Sequence, residues 1–272
     1  MRVGEGVEQA ILGADPSTRF GRARLKAAVL ARRALVRLRD PLVRYRIGEV
    51  ELELPLSHPL PFYRNDHPEY DRPLGIIAAE LGGPVVDVGA NVGDTAATIR
   101  AETDVPVLCV EGDDWFFSLL ERNAPRLGDV ELEPAFVSAP ERGRVERENG
   151  TARVLPGDED LPTKSLAEVL EEHPRFERPA LVKLDTDGFD VPIVLESLDV
   201  LVDRKPVLFF EYDPHLGAEP VVFEQLHSAG YRRADWFENT GAYRTTVPLP
   251  RHLHDEYVGY GGARYADVCV RP

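Results

Sequence analysis

From residue 84 onward, short apolar runs alternate with longer segments in which apolar positions recur every three or four residues. The runs at 85–88, 107–110, 130–137, 180–184 and 207–211 are rich in valine, leucine and phenylalanine. Runs of this length and composition are what strands buried on both faces of a parallel sheet require. The segments between them, 95–102, 115–123, 165–172 and 191–201, carry the helical period. This alternation predicts an α/β fold, a doubly wound Rossmann-like sheet, mostly parallel, with helices on both faces. Two later runs, 231–237 and 264–270, predict an antiparallel pair at one sheet edge, and the charged stretch 141–160, with three glycines, a loop or irregular hairpin.

Upstream the pattern changes. Residues 19–43 predict a helix with Phe20, Ala27, Ala31, Ala34, Leu35, Leu38 and Leu42 on one face, and Arg19, Arg22, Lys26, Arg33 and Arg37 on the other. Pro41 ends or kinks it. Residues 47–73 begin strand-like at 49–54 and continue as proline-rich irregular chain. The stretch Tyr63-Arg64-Asn65-Asp66-His67-Pro68-Glu69-Tyr70 crowds polar and aromatic groups together, as a lid over a ligand or a solvated connector would. Pro73 fits the first turn of a helix running to Leu81 and closed by Gly82-Gly83. The chain therefore divides into a basic N-terminal helical extension (1–46), a connector with a candidate lid and a helix (47–83), and the main domain (84–272).

Charge sharpens that division. Residues 17–46 hold ten lysines and arginines and one acid, whereas the whole chain is −15, which leaves −24 for the remainder. An acidic surface with so few lysines suits a protein kept in high salt, where self-repulsion is screened. It repels phosphates, so no nucleic acid is expected as a partner of the main domain. A basic amphipathic helix suits peripheral contact with an anionic membrane surface, or packing on the acidic domain or a second subunit. No apolar window is long enough to span a membrane, and the N-terminus lacks the apolar stretch of a signal peptide. Cys109 and Cys269 fall in strand-like runs with no metal-ligand spacing. A cytoplasmic protein is the expectation.

The residues that carry chemistry follow the first run. Val85-Val86-Asp87-Val88-Gly89-Ala90-Asn91-Val92-Gly93-Asp94-Thr95 leads an apolar strand into a glycine-spaced turn and a helix start, the arrangement that delivers a nucleotide-like ligand to a helix N-terminus. Glycine lets the backbone approach the ligand where a Cβ would intrude. Glu111, at the tip of the second run, is placed to accept hydrogen bonds from both ribose hydroxyls. The spacing departs from the dinucleotide fingerprint, with Asn91 in place of its middle glycine, and Asp87 would meet an incoming phosphate with negative charge. S-adenosylmethionine (SAM) has no phosphate and carries an ammonium and a sulfonium, which a carboxylate suits. SAM is favoured over NAD, with an NAD-dependent oxidoreductase as the alternative.

A second site lies in the fourth run, Leu181-Val182-Lys183-Leu184-Asp185-Thr186-Asp187-Gly188-Phe189-Asp190. In a doubly wound sheet its tip lies beside the first strand's, at the switch point where ligands bind. Asp185 and Asp187 there could take a proton from a substrate hydroxyl, hold a divalent metal or orient the SAM ammonium, or could merely cap the following helix.

The chain resembles the FkbM-type methyltransferases, a class I SAM-dependent family, in four separated motifs that occur in the right order over residues 84–245. They are Asp87-Val88-Gly89-Ala90-Asn91-Val92-Gly93, Val110-Glu111-Gly112-Asp113 with Asn123, the Leu181–Asp190 stretch just quoted, and Lys205-Pro206-Val207-Leu208-Phe209-Phe210-Glu211-Tyr212. Gly230-Tyr231 and Asn239-Thr240-Gly241 extend the likeness, which leaves out the basic helix. The resemblance implies a seven-stranded sheet, SAM as cofactor and methyl transfer, usually to a hydroxyl of a sugar or natural product. Carried over by position, Asp87, Gly89, Ala90, Asn91 and Gly93 would line the methionine half of SAM. Glu111 would take the ribose with Gly112 beside it, and Asp113 and Ser138 would lie near the adenine. Asp187 and Asp185 would be the catalytic carboxylates at the methyl-transfer centre, with His67 a third candidate base. Gly112 stands where many relatives have proline and Ala167 where they have an acid. The expected function is O-methylation of a glycan or small-molecule hydroxyl or carboxyl, with a metal requirement left open. A non-catalytic scaffold of the same fold is the remaining alternative.

Overall fold

The structure, a computed structural model, describes residues 3–15, 17–259 and 264–272. Two helices, α1 (Val3–Leu12) and α2 (Arg19–Leu38), lead into a hairpin of β1 (Leu42–Ile47) and β2 (Val50–Pro55), followed by α3 (Leu60–Asp66) and α4 (Arg72–Leu81). The expected helix over 19–43 thus stops at Leu38. Asp40 takes a φ of +39°, Pro41 follows, and residues 42–47 pair antiparallel with β2. The first helix, α1, has no counterpart in the expectation. Nor is the expected contact face of α2 the buried one. Of that face, Phe20 and Leu38 are 79 and 78% exposed, while Gly21 and Ala28, outside it, are buried. Arg32 shares the inward side, donating to the Ser57 carbonyl at 3.1 Å and lying 4.8 Å over the Phe62 ring of α3. Small residues there let the neighbouring chain approach, and a cation–π contact holds the arginine stem against it.

The main domain runs β3 (Val85–Val88), α5 (Asp94–Arg100), β4 (Val107–Val110), α6 (Asp114–Asn123), β5 (Val130–Glu133) and β6 (Phe136–Val137). A long hairpin of β7 (Arg142–Glu148) and β8 (Thr151–Asp160) and a short strand, β9 (Thr163–Lys164), follow. Then come α7 (Leu166–Glu172), β10 (Leu181–Leu184), α8 (Asp190–Glu196), α9 (Leu198–Arg204), β11 (Val207–Tyr212) and α10 (Val221–Ser228). The described chain closes with β12 (Arg233–Glu238), β13 (Tyr243–Pro248), α11 (His254–Val258) and β14 (Ala266–Arg271).

Eight strands form the central sheet in the order β13-β12-β14-β11-β10-β3-β4-β5. The five from β11 to β5 are parallel, and β14, β12 and β13 are antiparallel to their neighbours. The sheet is the expected α/β architecture with one strand more than seven. β12 and β14 pair as expected, but β14 sits inside, against β11, and β13 takes the edge. The expected strand over 130–137 breaks at Pro134, which has no N–H to give the ladder, and the expected helix over 191–201 splits at Ser197.

Successive residues of the central strands feed opposite faces. Val86 and Val88 pack with Val169 and Leu170 of α7, Ile193 of α8 and Phe223 of α10. Val85 and Cys109 pack with Ala96 and Ile99 of α5, Leu74 of α4 and Leu52 of β2. Each such aliphatic side chain contributes about 1.5–3 kcal/mol on burial. The N-terminal hairpin and α4 therefore help form one face of the core. No helix among the described residues is long and apolar enough to cross a membrane.

Candidate active site

The chain leaving β3 turns toward β4 on one side, and the chain leaving β10 turns toward β11 on the other, which opens a crevice between their C-terminal ends. Gly89, at the tip of β3, has a φ of +79°, and a Cβ there would lie 1.9 Å from the Asp185 carbonyl oxygen. The glycine is required because the two strand ends meet. At Gly93 (φ +88°) a Cβ would lie 2.7 Å from Leu127, beneath the turn. Close packing of chain on chain thus requires glycine at both positions, and Gly89 also lines the cleft. Ala90 is buried in the core.

Behind the turn, Lys183 of β10 is buried with its Nζ 2.9 Å from Asp87 Oδ1 and 3.4 Å from Asp185 Oδ2. It also donates to the Gly89 carbonyl at 3.1 Å. Burial opposes the ammonium, but Asp87 and Asp185 outweigh it and hold the lysine well above its ordinary pKa. Burial pushes the Asp87 carboxyl up while Lys183 pulls it down. Asp87, expected to line the methionine half of SAM, is fully buried and lines neither chamber of the cleft. It anchors Lys183, which does reach the cavity.

Glu111 sits at the tip of β4 and turns back on the backbone. Its Oε2 accepts from the Asn91 N–H and its Oε1 from the Asp113 N–H, both at 2.8 Å. Burial raises its pKa to about 7 against the pull of those two donors. Each carboxylate oxygen has lone pairs left for a diol. Asp113 is used otherwise. One oxygen caps α6 through the Trp115 and Phe116 N–H groups, and the other lies 2.7 Å from Arg147 Nε of β7. Ser138, with φ +54°, donates its N–H to the Lys164 carbonyl and lies between Val137 and Ala139, which line the cleft where it does not.

The expected lid stretch puts Tyr63 and Tyr70 on the cleft wall, and a second segment joins it. His67 packs on Tyr63, ring centroids 5.7 Å apart, and is not part of the cleft wall. The cover is the β7–β8 hairpin. Asn91 Nδ2 donates to the Gly150 carbonyl at its tip at 2.9 Å, and the Thr151 hydroxyl donates to Asp187 Oδ2. Gly150 fits so closely that a Cβ would meet Pro59 at 2.3 Å. His58 completes this corner: Nδ1 accepts from the Leu60 N–H, which leaves Nε2 to donate to Asn91 Oδ1 at 3.3 Å. Burial lowers its pKa, so the neutral ring fits both bonds.

Under the hairpin the cleft has two chambers, of about 60 and 200 Å³, which share Gly89, Asn91, Thr151, Asp185 and Asp187. The smaller is an apolar slot between Val88, Val110, Phe136, Val137, Val154 and Phe189, with Glu111 and Gly112 at its rim. Gly112 is needed here, because a Cβ would lie 2.3 Å from the Phe136 ring. The larger is acidic, walled by Asp71, Asp94, Asp185, Asp187, Glu211 and Asp267. Burial raises the Asp187 carboxyl, opposed by the Thr151 hydroxyl, and raises Asp190 to about 6. Asp190 accepts from the Thr186 N–H and hydroxyl and so holds the Asp185–Asp187 loop in shape. Among the described residues no group of three or more histidines, cysteines or acids is arranged to hold a metal ion. Sequence reasoning missed Asp71, His58 and Asp267 as site residues, and took Asp94, Lys183 and Glu211 only as parts of motifs.

No protein-family model matches the chain, and none of the curated proteins matches it. Among solved structures it is similar to M. jannaschii TYW2 in complex with AdoMet, at 12% identity and a TM-score of 0.47, over 86% of each chain. TYW2 of P. horikoshii, in complex with MeSAdo, is similar at 11% identity and TM-score 0.47, over 85% of this chain and 71% of that one. An O-methyltransferase from Bacillus cereus, in complex with SAH, is similar at 13% identity and TM-score 0.42, over 74% and 80%.

Proposed function

We propose that this chain is a SAM-dependent methyltransferase of the FkbM type, acting on a hydroxyl of a sugar or a related small molecule. The observation that carries the reading is the cleft at the β3–β10 switch point, with an apolar slot rimmed by Glu111 on one side and an acidic chamber on the other. The fit to SAM is chemical. The slot between Val88, Val110, Phe136 and Val137 suits a purine, Glu111 suits a ribose diol, and the carboxylates beyond Gly89 suit an ammonium and a sulfonium. They disfavour the pyrophosphate of NAD, which would face Asp94, Asp185 and Asp187.

When bound, SAM supplies a methyl group already made electrophilic by its sulfonium. What this chain contributes is alignment and a place for the proton. Positioning an acceptor oxygen in line with such a group accounts for on the order of 7–11 kcal/mol of a barrier. Asp187 is the base in this reading, Asp185 the second carboxylate. Burial weakens Asp187 as an acid and so makes its carboxylate the better proton acceptor. The Thr151 hydroxyl orients it from the hairpin. Asp187→Asn should lower kcat with SAM affinity kept within about twofold. Equal losses in both would argue against the role.

The N-terminal extension adds a membrane-surface contact to this reading. The outward face of α2 presents Phe20, Leu30 and Leu38 to solvent beside a row of basic side chains that includes Arg19, Arg33 and Arg37. Each basic side chain near an anionic bilayer contributes about 1 kcal/mol. Co-flotation with phosphatidylserine-containing vesicles, and its loss in the Phe20→Glu/Leu30→Glu variant, is the test.

A further inference from the structure

The larger chamber is more acidic than SAM alone calls for. Six carboxylates line it, and among the described residues the one lysine or arginine on its wall is Lys183, already paired with Asp87 and Asp185. SAM brings two cationic groups against one carboxylate, which leaves most of that charge unanswered.

The arrangement is specific. Glu211 of β11 and Asp267 of β14 stand directly opposite each other on antiparallel strands, where like charges destabilise the pair. Among the described residues the carboxylates of Glu211, Asp267 and Asp71 have no hydrogen bond or ion pair. Aromatic rings share the wall: Tyr63 and Tyr70, centroids 5.5 Å apart and inclined at 56°, with Tyr265 and Phe209. Ring faces attract organic cations, and carboxylates beside them supply hydrogen-bond acceptors. A metal ion is the other cation an acidic wall suggests. Yet the acids come from the start of α4, α5, β11, β14 and the loop after β10, and among the described residues no three converge on one point.

We infer that the acceptor is a small hydroxylated amine whose ammonium group binds between Glu211 and Asp267, against the tyrosine rings. The identification of this molecule as a methyl acceptor rests on the methyltransferase reading; the ammonium site itself stands on the chamber. A volume of about 200 Å³ limits the ligand to a small molecule or one end of a larger one. Burial, then Asp185 and Asp190, push Glu211 up to about 10, and burial and Asp94 push Asp71 to about 8. These carboxyl groups therefore hold protons that an ammonium would displace.

The test is calorimetric titration of the full chain, with and without S-adenosylhomocysteine, using glucosamine, ethanolamine and spermidine as probes. Glucose and ethylene glycol serve as uncharged counterparts. At least one amine should bind about tenfold or more tightly than its uncharged counterpart, a difference of about 1.4 kcal/mol. That preference should vanish in Glu211→Gln/Asp267→Asn. This variant replaces two carboxyl groups, both with raised pKa, by neutral amides of the same shape and should fold about as stably, with S-adenosylhomocysteine affinity unchanged. Failure of every amine to bind, equal binding of the uncharged counterparts, retention of the preference in the variant, or displacement of the amine by magnesium would each overturn the inference. Amine binding without S-adenosylhomocysteine binding would sink the methyltransferase reading and leave the ammonium site standing.

Discussion

Lys183 and Asp87, on adjacent parallel strands, form an ion pair of 2.9 Å with both side chains almost wholly buried. The pair underlies the whole cleft, since the same Nζ holds the Gly89 carbonyl and reaches Asp185. A buried pair of this kind adds little net stability over an apolar one, but breaking it strands a charge. Lys183→Met should therefore cost about 3–5 kcal/mol in urea denaturation. Lys183→Met/Asp87→Leu should recover most of that loss. A single variant as stable as wild type would show that the pair does not organise the strand ends.

Glycine placement separates strain from collision. At Gly82 (φ +63°) an added Cβ would meet nothing within 4 Å, whereas at Gly89 (φ +79°) it would run into the Asp185 carbonyl. Gly82→Ala should cost only the backbone term, about 1–2 kcal/mol. Gly89→Ala should cost clearly more and also weaken cofactor binding, because the strand tips must part. Denaturation midpoints and SAM titrations of the two variants check this.

Stability should fall as pH rises through the titration of His173. Its ring nitrogens lie 2.9 Å from Glu131 and 3.0 Å from Glu133. Burial opposes the charged ring, but the two carboxylates outweigh it and raise its pKa above 6.5. A raised folded-state pKa stabilises fully below the unfolded value and is lost as pH passes the folded one. His173→Gln should flatten this part of the stability curve, measured from about pH 6 to 9.

Glu111 should trade stability for binding. Its folded pKa of about 7 lies above the ordinary 4.5, so its contribution to stability is lost as pH rises between these values. Glu111→Gln keeps only one acceptor for the two backbone N–H groups, and should remove this part of the pH dependence of stability, measured as melting temperature from about pH 4 to 8. The same change should weaken SAM binding and remove its strengthening with pH through the titration of this carboxyl. A variant that keeps the wild-type pH dependence of stability and loses no affinity would contradict the assignment.

The sequence is most legible where burial is local. Val85–Val88 and Val107–Val110 can be delimited to the residue, because a strand covered on both faces needs an unbroken apolar run. β13 and the β7–β8 hairpin cannot, since their outward residues are polar and little apolar alternation marks them. The inward face of α2 escapes the hydrophobic pattern because its contacts use Gly21, Ala28 and the stem of Arg32, which no hydrophobic count singles out. Within the cleft, Glu111, Asp185 and Asp187 lie in short motifs and can be named. Glu211 and Asp267 come together only through the sheet order, Asp71 joins them from the start of α4, and nothing in their spacing along the chain connects the three.

Calorimetric titration of wild type and Glu111→Ala with SAM, and separately with NAD, tests the central claim most directly. Wild type should bind SAM and not NAD, and Glu111→Ala, still folded, should lose most of the SAM affinity. A folded wild type that binds NAD but not SAM would contradict it.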